Sequence, residues 1–254
     1  MVKRRARARS QPVPERSQRR RAVGYVDRVT PDAGMSKTLH HGLVILEELA
    51  GHPDGLTVTE VAEAVGVHRT VAHRLLRTLE AHRLVRRDEH KRVRLSTALV
   101  SLAESVDQDL RRVARPVLER LADATEATAH LVVRESETQA RVLLVVEPRN
   151  ASVHIAFRPG QAIDLPRGSA AMAILAAQPA SEGERPEITR ARESGYAVSQ
   201  GEVVPSTLGV SVVVPQPQRS ATAVIGLSVF DEETAHATAP RVIAAAKELG
   251  SLLA

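Results

Sequence analysis

Cysteine is absent from the 254 residues, which excludes a disulfide framework, a thiolate nucleophile and a thiolate metal site. Aromatic side chains are nearly as scarce, amounting to Tyr25, Phe157, Tyr196 and Phe230 with no tryptophan. Proteins that grip single-stranded nucleic acid stack its bases on aromatic platforms, and four scattered rings do not build one. No apolar run approaches the roughly 20 residues of a membrane span, and the arginine-rich start lacks the apolar centre of a secretory signal. There is no GxSxG elbow, Walker A loop, GxGxxG turn or HExxH zinc motif. His40 and His41 are neighbours on a helical pattern and point apart. A cytoplasmic protein that is not an enzyme, with no metal and no cofactor, is the expectation.

What is present is ordinary globular material. Hydrophobic residues make up 43% and charged residues 26%, enough apolar content over this length for two compact domains, or one large one, with real cores. The net charge of +5 is unevenly placed. Residues 1–34 carry ten Lys/Arg against three acids, and residues 68–94 carry nine against three. The remainder is mildly acidic. A short basic block inside an acidic body is the pattern of a phosphate-facing surface, and with so few aromatics the expected partner is duplex DNA. Residues 1–34 read as a disordered tail: their arginines alternate with Pro12, Pro14, Ser10 and Ser17 without apolar periodicity. Such a tail adds nonspecific attraction to DNA, unless translation begins at Met35.

From Ser36 the pattern turns helical, with Leu39, Leu43, Ile45, Leu46, Leu49 and Ala50 expected on one buried stripe. Gly51, Pro53 and Gly55 end it. Thr57-Val58-Thr59-Glu60 is a capping box that opens a short helix to about Val65, and Gly66 supplies a left-handed turn. A third helix runs from Arg69 to about His82, with Val71, Leu75, Leu76 and Leu79 expected to face inward. Short helix, tight turn and basic helix together make a helix-turn-helix, whose second helix enters the major groove. Arg69, Thr70, His73 and Arg74 are then placed for base edges, and Arg77 for phosphate. Residues 84–85 and 93–95 read as two strands with a hairpin tip at residues 88–91. This basic hairpin is a wing, and Arg86, Arg87, Lys91 and Arg92 are its candidate DNA contacts.

The run from Val67 to Glu80, VHRTVAHRLLRTLE, together with its wing resembles the DNA-binding domain of IclR-type bacterial transcriptional regulators. His68 departs from the Ser or Pro common in that family. Beyond the wing, residues 97–110 read as a linker helix and residues 111–125 as a second helix. Strand-like runs follow at 129–134, 141–147, 152–157, 196–199, 210–215 and 223–230, and a last helix spans about 232–253. Strands grouped between helices, with hairpin-length connections, predict an antiparallel sheet in an α+β domain. Arg115-Pro116-Val117-Leu118, Arg158-Pro159-Gly160, Leu165-Pro166, Ala171, Gly195-Tyr196 and Gly201-Glu202 resemble the effector-binding domain of the same family.

The resemblance implies four segments: a tail at 1–34, a winged helix-turn-helix at 35–96, a linker helix at 97–110, and a GAF-like effector-binding and oligomerisation domain at 111–254. It also implies a transcriptional regulator that binds palindromic operator DNA as a homodimer or dimer of dimers. Carried over by position, the effector site comprises Ala171, Met172, Glu202, Ser211 and Ser228, with Arg158 or Arg167 able to pair with a carboxylate held there. A helix start there would offer N–H groups to a carboxylate. The stretch from Ala170 to Ile174 is all apolar, whereas the family is polar there. The expected effector is therefore either an organic acid or an apolar or aromatic compound. An architectural DNA-binding protein with a degenerate effector domain is the alternative.

Overall fold

The computed structural model describes residues 32–150, 157–216 and 222–254. Almost all of the tail lies outside them, as do five of the six residues of the strand expected at 152–157. No helix among the described residues is long and apolar enough to cross a membrane.

Three helices and a hairpin build the first core. Helix α1 spans Lys37–Ala50 and starts at Ser36, whose hydroxyl accepts from the Leu39 N–H. Helix α2, Val58–Val65, begins at the expected capping box, with the Thr57 N–H donating to Glu60 at 2.7 Å. Gly66 follows at φ +73°, a conformation a Cβ would strain, and turns the chain into α3, Arg69–Ala81. Strands β1, Val85–Arg87, and β2, Val93–Leu95, pair antiparallel. Leu56 joins β2 through a bridge to Val93. Ile45, Leu49, Val61, Ala72, Leu76, Val85 and Val93 form the centre.

Two sequence expectations change here. In α3 the buried positions are Ala72, Leu75 and Leu76, and Val71 is exposed. The helix is rotated so that positions 72, 75, 76 and 79 share the inner face at the i, i+3, i+4, i+7 spacing. In α1 the stripe divides: Ile45 and Leu49 are buried, while Leu39 and Leu43 remain 63% and 49% exposed on another side.

The linker is also divided differently. Helix α4 spans Ala98–Glu104 and buries nothing, leaving Val100 and Leu102 exposed. The chain breaks at residues 105–107, where Asp107 has φ +42°, and α5 then runs without interruption through Gln108–Thr125. Two helices stand where two were expected, and the break between them falls at residues 105–107 instead of after residue 110.

The second domain is built on a six-stranded, wholly antiparallel sheet, as expected. Its strands are β3 Thr128–Arg134, β4 Gln139–Val146, β5 Ala162–Asp164, β6 Ala197–Gln200, β7 Leu208–Val213 and β8 Ala223–Val229. Their order is β5-β4-β3-β8-β7-β6. Helices α5 and α8, Glu232–Leu253, cover one face with Leu118, Leu131, Leu144, Val210, Ile225 and Leu249 between them. Helices α6, Gly168–Ala176, and α7, Pro186–Ser194, cover the other with Val132, Val142, Met172 and Val224. A bulge at Leu143 shifts the β3–β4 register between the Leu131↔Leu144 and Val132↔Val142 pairs. Val142 and Leu144, two residues apart, thus serve opposite faces.

Candidate DNA-binding interface and ligand cavity

Helix α3 is placed against α1 and α2 by its apolar side, so its polar residues face outward. His68 caps it, with Nδ1 accepting from the Thr70 N–H at 3.3 Å. Arg69, Thr70, His73, Arg74 and Arg77 are all exposed, and no described residue holds their side chains. Val71, 39% exposed, stands among them. Arg86 and Lys91 are likewise exposed and unpaired on the hairpin. Arg83, which the sequence reading did not single out, is exposed at the turn between α3 and β1, at φ +58°.

Arg87 and Arg92, expected from sequence to contact DNA, are both engaged by other residues of the fold. Arg87 Nε donates to Glu80 Oε1 at 2.7 Å, tying β1 to the end of α3. The Arg92 guanidinium donates to the carbonyls of Asp54 and Gly55, at 2.7 Å in the shortest case, and reaches Glu60 at 3.4 Å. It fastens the wing to the turn before α2. The tip itself is shaped by Asp88, which accepts from the N–H groups of His90 and Arg92 and from Arg94 Nε. Arg92→Ala is therefore expected to lower the domain's stability by about 1–2 kcal/mol in a urea melt, because the carbonyls lose a charged donor. The salt dependence of DNA binding is expected to stay as it was.

On the α6 face of the second domain, the strands align their small and polar residues in rows. His130 lies opposite Gly226, and Gly226 opposite Ser211. The next row runs Thr128, Ser228, Gly209, Ser199. Gly226 is required there: a Cβ would stand 2.5 Å from Ser211 Oγ and 2.7 Å from His130 Nε2. Two bonds fasten the start of α6 to this surface. The Ser169 N–H donates to Ser199 Oγ at 2.8 Å, and the Ser169 and Ser211 hydroxyls bond at 2.8 Å.

Between the rows and the helix start lies a narrow cavity of about 20 Å³, room for about one water. His130, Phe157, Ser169, Glu202, Thr207 and Ser228 are among its walls. The imidazole of His130 is 2% exposed and stacks on Phe157, with centroids 4.9 Å apart. Burial pushes its pKa down to about 4, so it is neutral at pH 7. Its Nδ1 has no hydrogen-bond partner among the described residues.

Glu202 closes the cavity from the helix start. Its carboxylate accepts the Gly168 N–H at 2.8 Å and both Arg185 amino groups, at 2.8 and 3.1 Å. Arg167 Nε donates to its carbonyl at 2.8 Å. The Arg185 guanidinium and the Gly168 N–H hold the Glu202 carboxyl below its ordinary range.

Of the effector-site residues expected from sequence, Arg167, Glu202 and Ser228 are brought together at this cavity. Ala171 and Met172 are fully buried in the core behind it, because α6 is enclosed nearly all round and only its first turn meets the cavity. Ser211 is fully buried and bonded to Ser169, and the exposed Arg158 is not among the walls. Sequence reasoning missed His130, Phe157 and Ser169. A single histidine inside the apolar run 129–133 was the available signal. Among the described residues no group of three His, Asp or Glu is gathered closely enough to hold a metal ion.

Comparison with known proteins places both domains. Residues 38–89 match the model of the IclR helix-turn-helix domain, and residues 103–186 match that of the bacterial transcriptional regulator IclR C-terminal domain. The HTH-type transcriptional regulator KipR of Bacillus subtilis is 23% identical over 220 residues, covering 77% of this chain and 87% of that protein. An IclR-type transcriptional regulator from Alicyclobacillus acidocaldarius has a similar crystal structure, with a TM-score of 0.73 and 24% identity over 87% of this chain and all of that one. An IclR homologue from Microbacterium hydrocarbonoxydans, crystallised with 4-hydroxybenzoate, superposes with a TM-score of 0.71 at 19% identity, over 85% of this chain and 98% of that one.

Proposed function

Because the chain belongs to the IclR family of bacterial transcriptional regulators, we propose that it binds a palindromic operator as a homodimer, under control of a small molecule held in the second domain. The observation that carries this reading is the unpaired cationic surface of α3 and the wing. Arg69, Arg74, Arg77, Arg86 and Lys91 have no acidic partner among the described residues, while neighbouring Arg87 and Arg92 are held by the fold. Arg69 and Arg74 read guanine edges, Thr70 and His73 contact bases or phosphate, and the exposed methyls of Val71 meet a thymine methyl. Arg77, Arg86 and Lys91 neutralise phosphates.

One recognition helix reads too few base pairs for specificity in a genome, so two copies bind two half-sites. Leu39 and Leu43 on α1, and Val100, Leu102 and Val106 on and after α4, supply apolar surface for that pairing. The effector, an organic acid or an apolar or aromatic compound, binds at the cavity beside His130 once that cavity widens beyond its present room for about one water. The 4-hydroxybenzoate bound by the Microbacterium protein supports a ligand of this class. Its binding favours one spacing of the two winged domains over another.

A footprint on the DNA upstream of the protein's own gene and its neighbours, repeated with a panel of metabolites, tests this. The expected result is a protected palindrome that shifts or disappears with one compound. Diffuse coverage that salt removes, with no preferred site, would instead mark an architectural protein.

A further inference from the structure

The effector site of this chain already contains a carboxylate, and that carboxylate is its own. The Gly168 N–H opens α6 and, together with the forked donor of Arg185, forms an anion position that Glu202 fills. Behind it stands a second polar group with nothing to bond. His130 lines the same cavity, and its buried Nδ1 has no hydrogen-bond partner among the described residues. Beyond it, on the other side, lies a groove of about 730 Å³, with Arg185, Tyr196, Val198 and His236 among its walls. Glu202 and Ser199 border both spaces. The ion pair therefore separates a cavity with room for about one water from a groove wide enough to admit a small molecule.

We propose that Glu202 is an internal competitor, whose carboxylate holds the site shut until the carboxylate of a small organic acid takes its place on Gly168 and Arg185. The incoming acid places its body over the Phe157 and His130 side of the cavity, where a polar substituent meets His130 Nδ1. Displaced Glu202 turns into the groove and regains water. The exchange replaces one carboxylate by another, so binding is selective for acids and weakened by the effective concentration of the tethered competitor. This inference rests on the effector-controlled reading above, and chooses the organic acid from the two ligand classes given there.

Glu202→Ala leaves behind the space of the missing –CH2–COO⁻ group, which acetate fills. Thermal shift and calorimetric titration with acetate, and with acetamide as the uncharged counterpart, compare wild type with the variant. Acetate is expected to stabilise Glu202→Ala saturably, with a Kd at least about tenfold lower than for wild type, since the charge-assisted contacts are vacant. Acetamide is expected to show no such gain, and adding Arg185→Ala is expected to remove the acetate gain. Glu202→Ser vacates the same position and replaces the alanine variant if circular dichroism shows that the latter does not fold. Equal acetate binding by wild type, or none by the folded variant, overturns the proposal. Either result leaves effector control itself standing, because the metabolite footprint decides that separately.

Discussion

Replacing Arg69 and Arg74 together with alanine is expected to abolish operator recognition while leaving the protein folded. Both side chains are exposed on the outer face of α3, and neither bonds to another described residue, so their removal costs the fold nothing that the structure can identify. A guanidinium paired with guanine O6 and N7 is worth roughly 1–3 kcal/mol of discrimination. Two such losses lower operator affinity by roughly thirtyfold or more if the sites act independently. Gel-shift titration against operator and random duplexes reads the result as a collapse of the ratio between them. Arg77→Ala should instead weaken both duplexes alike, as a phosphate contact does. If the double variant keeps the wild-type ratio, α3 does not read the sequence.

Acidification from pH 7 to pH 4 is expected to destabilise the second domain through His130. The buried imidazole has a pKa of about 4 in the folded chain against an ordinary value of 6.5. Above pH 6.5 both folded and unfolded chains hold it neutral, and its contribution is constant. Between 6.5 and 4 the unfolded chain takes up a proton that the folded chain refuses, so stability falls as pH falls. At about 1.4 kcal/mol per pH unit, the loss attributable to this one group approaches about 3 kcal/mol near pH 4. His130→Gln removes the titration. Chemical denaturation at a series of pH values should therefore show wild type declining more steeply than the variant over this window. Parallel curves would mean that His130 is not held neutral by burial.

The readable parts of this chain were those set by local rules. The capping box at Thr57 and Glu60, the left-handed turn at Gly66 and the hairpin around Asp88 each follow from a few adjacent residues, and each stands where the sequence puts it. The last helix, with Asp231 capping at Thr234, was equally plain. Helix α7 was missed although Pro186 at its first turn and Gly195 at its end are ordinary signals. Strand β5 is three residues long and is held by its pairing with β4, which no local pattern announces.

The cavity was harder to read for a physical reason. Helix α6 is apolar almost throughout, so periodicity does not say which of its residues border a cavity; the reading named Ala171 and Met172, and the residues that line the cavity are Gly168, Ser169 and Ala170. The wing arginines show the opposite limit. Composition makes all of them equivalent, but Glu80 and the Asp54 and Gly55 carbonyls, brought near by folding, withdraw Arg87 and Arg92 from the free set. Charge locates an interface, and only packing says which charges remain available to it.

The bulge at Leu143 leaves strand β4 with one residue more than its partner strand uses. Val142 and Leu144 already point to opposite faces, as immediate neighbours in a regular strand would. Relatives shorter by one residue at this point can therefore keep every later side chain of the strand on its proper side. The same loss anywhere else in β4 would exchange the two cores, so natural length variation within this strand should be confined to that single position.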